Sequence, residues 1–306
     1  APLRSGRELP MVGTTKINRR RFLVLSGSAA VLSVVGIGRG FGREVAPTED
    51  LRSAPIELSG DWHAAPTDAV MRVLTRIREV DLSGMRLLSD RQPRKLRIEN
   101  HSEVAPAIWL HSDQPDMASI VVNIGYADWC RLAYQFGHEL GHVLSNSWQF
   151  SAKPQPPTQW LEEVLVETFS VRGLRLLADS WEKSPPFAGD AGFARAVRQY
   201  GSALLDKFKA DYLSPLKWFR MNRAKLEIGS GKDVLWGPAV VGVLQIYEDV
   251  KPGKPTCLDD LGALNRWPER TSVPIERYLD LWTESCVAIG STGELPSRLR
   301  QLFAIA

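Results

Sequence analysis

His138-Glu139-Leu140-Gly141-His142 reads H-E-x-x-H, and these residue types at this spacing suit metal chemistry. On a helix, positions i and i+4 share a face, so both imidazoles reach one ion. Zinc accepts imidazole nitrogens at about 2.0–2.1 Å. Glu139 lies beside such an ion and can take a proton from the water it activates. The chemistry implied is metal-assisted hydrolysis.

The flanks, Gln135-Phe136-Gly137 and Val143-Leu144, carry no charge. A solvated helix would carry charge on its outer face, so this one is expected to be buried. Its two His and one Glu then need partners, because buried polar groups are costly when unpaired. The competing reading is a chance motif with hydrogen-bonded core histidines. Gly141 costs a helix about 1 kcal/mol relative to Ala, which points to close packing near the metal face.

A catalytic zinc site usually has three protein ligands and one open position. A third His six residues after His142 is excluded, because that position is Trp148. The alternative is a Glu on a following helix. Lys153-Pro154-Gln155-Pro156-Pro157 must break the first helix, and Thr158 is placed to cap the next. That helix carries Trp160-Leu161-Glu162-Glu163-Val164-Leu165-Val166-Glu167. Leu161, Val164, Leu165, Val166 and Phe169 make it apolar on most sides, so its carboxylates are expected to be buried and to need partners.

The two segments together resemble the gluzincin zinc peptidases, which include the thermolysin-like proteases and the aminopeptidases. The run from Trp160 to Glu167 is similar to the aminopeptidase W-L-N-E-G-F-A-E, with Glu162 where that family has Asn. The resemblance spans roughly residues 120–178. It implies a zincin-like fold, Zn2+ as cofactor, His138, His142 and Glu163 as metal ligands, Glu139 as catalytic base and Glu167 as an acid beside the histidines. The Gly- and Met-rich exopeptidase motif of the aminopeptidases is absent. Neighbouring helix positions point about 100° apart, so only one of Glu162 and Glu163 is expected to face the histidines. Glu163, with Glu167 one turn on, is the expected ligand, and Glu162→Ala is expected to be silent for metal.

Near the front, Asn18-Arg19-Arg20-Arg21-Phe22-Leu23 precedes a short apolar run from Val24 to Val35. A basic segment before such a run reads as a secretory signal, and the paired arginines resemble the bacterial twin-arginine export signal. The expected location is the periplasm or cell exterior, with membrane contact only through an uncleaved signal. Residues 1–45 hold eight Lys or Arg against two Asp or Glu, a net of +6, while the whole chain is +3. Residues 46–306 are therefore at −3, which gives no electrostatic case for nucleic acid. Three cysteines are too few for a disulfide scaffold. Cys257 and Cys286 either pair or stay free, and Cys130 falls on the zinc helix.

Beyond the signal the chain reads as α+β: an N-terminal α+β part over 46–125 and a helical part over 126–306 carrying the zinc site. Ala65–Val80 has helical spacing of apolar residues, and Pro66-Thr67-Asp68 is a start signal. Lys95–Ile98, Ala107–Leu110 and Ser119–Ile124 have strand character. Further helices are expected over Asp128–Ser147, Gln159–Ala178, Ala191–Lys209, Val234–Val250, Ile275–Ala288 and Leu295–Ala304. Ile120–Ile124 is expected either as an ordinary strand or as an edge strand pairing with an extended substrate. Lys251–Pro255 reads as a loop. The ten Trp are core or cleft residues; spacing does not decide. His63, His101 and His111 fit no ligand pattern. Tyr200, Tyr212 and Tyr247 are candidate hydrogen-bond donors to a transition state. The expected activity is peptide hydrolysis on a peptide or protein substrate. The alternatives are a zinc hydrolase of a non-peptide amide and a non-catalytic zinc-binding protein of the same fold.

Overall fold

The computed structural model describes residues 50–209, 213–229, 234–249 and 255–306. The basic and apolar front segment, Tyr212 and most of the Lys251–Pro255 loop lie outside these residues. A four-stranded sheet is built first: β1 (Ile56–Gly60), β2 (Lys95–Asn100), β3 (Ala107–Trp109) and β4 (Met117–Val122). The spatial order is β1-β2-β4-β3. β1, β2 and β4 run parallel, and β3 is antiparallel to β4.

A parallel pair needs a crossover, and helix α1 (Thr67–Asp81) supplies it between β1 and β2. In β2 the alternation puts Leu96, Ile98 and Asn100 inward and leaves Lys95, Arg97 and Glu99 less covered. Ile98 is in register with Ile120, and Ile120 with Ile108. These three side chains share a core with Val70, Val73, Leu74 and Ile77 of α1.

Of the two alternatives for Ile120–Ile124, the ordinary strand holds and the substrate-pairing edge strand is corrected. β4 ends at Val122, is buried at all six positions and pairs on both sides. β3, which precedes β4 in the chain, lies on its outer flank and is the edge strand there. Lateral order is a non-local property that local pattern does not encode.

Seven of the eight helices follow the sheet: α2 (Trp129–Leu144), α3 (Gln159–Lys183), α4 (Phe193–Lys209), α5 (Pro215–Gly229), α6 (Gly237–Glu248), α7 (Ile275–Ile289) and α8 (Glu294–Phe303). The short 3-10 helix Cys257–Ala263 precedes α7. The α+β class is thus as the sequence implies, but β1, α5 and the 3-10 helix have no counterpart in the sequence reading. α3 is the central helix, packed against α1, α2, α4 and α6, as its apolar character on most sides requires. Its first turn is anchored by Trp160, which is fully buried and stacks with Trp218, Phe219 and Phe303 at centroid distances of 5.6–5.8 Å. Trp160, Trp181, Trp218 and Trp282 are all core residues. Thr158 stands at the N-cap without a side-chain cap bond; its hydroxyl donates instead to the Thr271 carbonyl at 2.6 Å. Cys130, Cys257 and Cys286 are free thiols.

Two glycines let α3 approach its neighbours closely, Gly141 at the seam with α2 and Gly173 at the seam with α1. A Cβ on Gly141 would lie 2.8 Å from Val166 Cβ, and one on Gly173 would lie 2.1 Å from Asp81 Oδ1. The Asp81 carboxyl is wholly buried between Gly137 and Gly173, and burial raises its pKa well above the usual range against the opposing charge of Arg172. Gly→Ala in a helix normally stabilises by about 1 kcal/mol. Gly173→Ala is expected to destabilise by about 1–3 kcal/mol, because the methyl overpacks this seam. Denaturant unfolding checks the sign: an unchanged or raised midpoint would contradict the packing described.

Candidate metal centre

Side-chain hydrogen bonds fix the start of α2 and the strand ends beside it before any donor is considered. Asp128 caps the helix by accepting from the Arg131 amide. Gln135 accepts from the Asn123 amide at 2.8 Å and donates to its carbonyl at 3.1 Å, which fixes the helix to the end of β4. Asn100 donates to the Asp61 and Ile124 carbonyls and accepts from the Ile124 amide. Gln135 is a positioning residue that the sequence reading missed; its only sequence signal is a polar residue on an otherwise apolar stretch.

α2 presents His138, Glu139 and His142 within about 100° of helix surface, as their spacing dictates. All three are buried, with Glu139 fully enclosed. α3 crosses α2 so that Glu163 meets both imidazoles. His138 Nε2 lies 3.5 Å from Glu163 Oε2, and His142 Nε2 lies 3.6 Å from Glu163 Oε1. One donor atom from each of His138, His142 and Glu163 can be chosen so that all lie within 4.8 Å of one another. Among the described residues this is the one such cluster, and His63, His101 and His111 take no part in it.

These separations fit an ion. Ligands held at about 2.0–2.1 Å from a tetrahedral zinc stand about 3.3 Å apart. His138 Nε2 is buried without a hydrogen bond, as a nitrogen turned toward a metal position would be.

The far nitrogen of each ring is held by a carboxylate. Glu167 Oε2 lies 3.0 Å from His138 Nδ1, and Tyr134 donates to Glu167 Oε1 at 2.6 Å. Glu162 Oε1 lies 2.8 Å from His142 Nδ1. The expectation that Glu162 points away is therefore corrected. An imidazole carries two nitrogens on different edges, so two adjacent glutamates can meet one histidine from two directions. Glu163 faces Nε2 and Glu162 faces Nδ1.

Four buried carboxylates, Glu139, Glu162, Glu163 and Glu167, thus surround two imidazoles. Such a set requires positive charge. Without an ion, part of it comes from His142. Burial lowers its pKa, but the charge of Glu163 and the hydrogen bond to Glu162 outweigh this and push it up to about 10. Burial likewise raises Glu163, and the two histidines outweigh it, holding that carboxyl well below the usual range. A divalent cation would displace the proton and take over its role.

Of the tyrosines singled out as transition-state donors, Tyr247 is excluded. It is fully buried and donates to the Leu165 carbonyl at 3.2 Å, on the far side of α3 between α3 and α6. Tyr200 is half-buried, with its ring 6.2 Å from that of Tyr134 at the border of the cluster.

No protein-family model, curated protein or solved structure matches this chain.

Outer partners of metal-bound histidines typically contribute 10–100-fold to affinity. Glu162→Ala and Glu167→Ala are each expected to weaken zinc binding by about that factor. Competition against a chromophoric chelator measures both. Wild-type affinity in Glu162→Ala would restore the silent role that spacing alone suggested.

Proposed function

We propose that this chain is a zinc-dependent metallopeptidase. The observation that carries the reading is the convergence of His138, His142 and Glu163 at ligand separations, with each imidazole backed by its own carboxylate. Two imidazoles and a carboxylate suit zinc, though non-haem iron uses the same donors. Glu139 favours hydrolysis, because a buried carboxylate next in sequence to His138 would serve as base to a water activated by the ion.

His138, His142 and Glu163 would hold the ion, with Glu162 and Glu167 fixing the two rings. When bound, the ion supplies the Lewis acidity that polarises a scissile carbonyl and lowers the pKa of water. Glu139 accepts the proton from the attacking water and passes it to the leaving amine. An extended peptide pairs along the free side of β3, the edge strand that packs on α2, by main-chain hydrogen bonds. Tyr200 is the remaining candidate for a donor to the tetrahedral oxyanion. Export through the basic and apolar front segment places the substrate outside the cytoplasm. None of the described helices is long and apolar enough to cross a membrane.

Digestion of casein and a mixed peptide library, with and without chelator, tests the reading. Cleavage that stops on chelation and returns with zinc is the expected result. Zinc-loaded protein that leaves every peptide intact would overturn it, and cell-wall amides would be the next substrates.

A further inference from the structure

The carboxylate behind His142 is not held by its own helix. Glu162 Oε2 accepts from Asn265 Nδ2 at 2.7 Å, and Asn265 lies about a hundred residues away in the segment between the 3-10 helix and α7. Asn265 Oδ1 accepts in turn from the Tyr278 hydroxyl of α7 at 3.0 Å. A hydroxyl can donate to the amide oxygen but not to the amide NH2 group. The Glu162 carboxylate and the Ser145 carbonyl can only accept, so they fix the Asn265 NH2 toward themselves, and its oxygen is left to accept from the Tyr278 hydroxyl. Every member is buried: Glu162 is 2 % exposed, and Asn265 and Tyr278 are fully enclosed.

The backbone around Asn265 is shaped to hold this contact. Asn265 has φ +55, and Asn146 (φ +59) and Arg270 (φ +49) share the left-handed region, which Asn tolerates better than most residues. Arg270 donates to the Asn265 carbonyl at 3.0 Å, to the Asn146 carbonyl at 2.9 Å and to Ser147 Oγ at 3.0 Å. Asn265 Nδ2 also reaches the Ser145 carbonyl at 3.1 Å and Ser147 Oγ at 3.2 Å. The loop leaving α2 and the loop entering α7 are thereby locked together next to His142.

We infer that Asn265 and Tyr278 are positioning residues for the metal centre: a one-way chain from Tyr278 through Asn265 to Glu162 holds His142 with its Nδ1 as donor and its Nε2 lone pair toward the ion. This rests on the metal-centre reading above. It adds that the C-terminal segment, outside the two motif helices, sets the affinity of the site. The Glu162 position makes the chain necessary. A charged carboxylate there needs a second donor besides His142, and buried networks are worth most when every member is satisfied.

Zinc affinity of full-length protein by chelator competition tests this, in wild type, Tyr278→Phe, Asn265→Asp, Glu162→Gln and the Glu162→Gln/Tyr278→Phe double variant. Tyr278→Phe removes one hydroxyl and leaves the backbone alone; it is expected to weaken zinc about 3–10-fold, below the 10–100-fold typical of a direct partner. Asn265→Asp sets two carboxylates together and is expected to lose about 10–100-fold. The double variant decides between positioning and general support. If Tyr278 acts through Glu162, its effect shrinks toward zero once Glu162 is neutral. A full, additive loss in the double variant, or wild-type affinity in Tyr278→Phe, would overturn the inference even if Asn265→Asp fails to fold. The readout is metal, not turnover. A zinc-loaded but inactive wild type would thus overturn the peptidase reading alone, whereas a wild type that binds no metal would overturn both.

Discussion

Glu139→Gln is expected to keep its bound metal and lose about 10²–10⁴ in turnover, the usual contribution of a positioned base. The substitution preserves size and shape at a fully enclosed position and removes only the ability to accept a proton. His138, His142 and Glu163 meet one another without help from Glu139, so zinc content should be unchanged. Turnover on the best library peptide and elemental analysis of the same sample check both halves. Loss of metal together with activity would make Glu139 a ligand or a structural residue. Retained turnover would remove it from the mechanism.

Glu163→Ala is expected to cause the largest metal loss of any single glutamate substitution. Glu163 alone faces the Nε2 atoms of both histidines, whereas Glu162 and Glu167 each reach one Nδ1. Removing it takes away a donor and also the carboxylate charge set against two imidazoles. Its affinity loss should therefore exceed the 10–100-fold expected for either outer glutamate. The expected order is Glu163→Ala first, with Glu162→Ala and Glu167→Ala well behind. If Glu162→Ala proves the most damaging, the ligand is Glu162, and the pairing of α3 with the histidines is displaced by one residue.

The parts of this site that rest on one helix at a time are legible in the sequence. His138 and His142 share a face because of helical period, and the same period pairs Glu163 with Glu167. Glu162 is not legible this way. Its role depends on how α3 crosses α2 and on the two nitrogens of His142, which no periodicity carries. Asn265 and Tyr278 are still further from view, being about a hundred residues from Glu162 and joined to it only by the packing of α7. In the fold, α2 and α3 announce themselves through long apolar runs between breakers. α5 does not, since Lys217, Arg220, Arg223 and Lys225 dilute its apolar stripe and leave only Trp218, Phe219 and Leu226 buried. β1 is five residues long and only partly covered, too short for its alternation to stand out. The inner place of β4 depends on its inserting between β2 and the preceding β3, a pairing set by tertiary contact.

The central claim is that His138, His142 and Glu163 hold one ion. Elemental analysis of the wild-type protein, refolded with zinc and freed of unbound metal, tests it most directly. The account predicts one zinc per chain in wild type and a large deficit in Glu163→Ala that has kept its fold. Wild-type protein that is folded and carries no transition metal would contradict it.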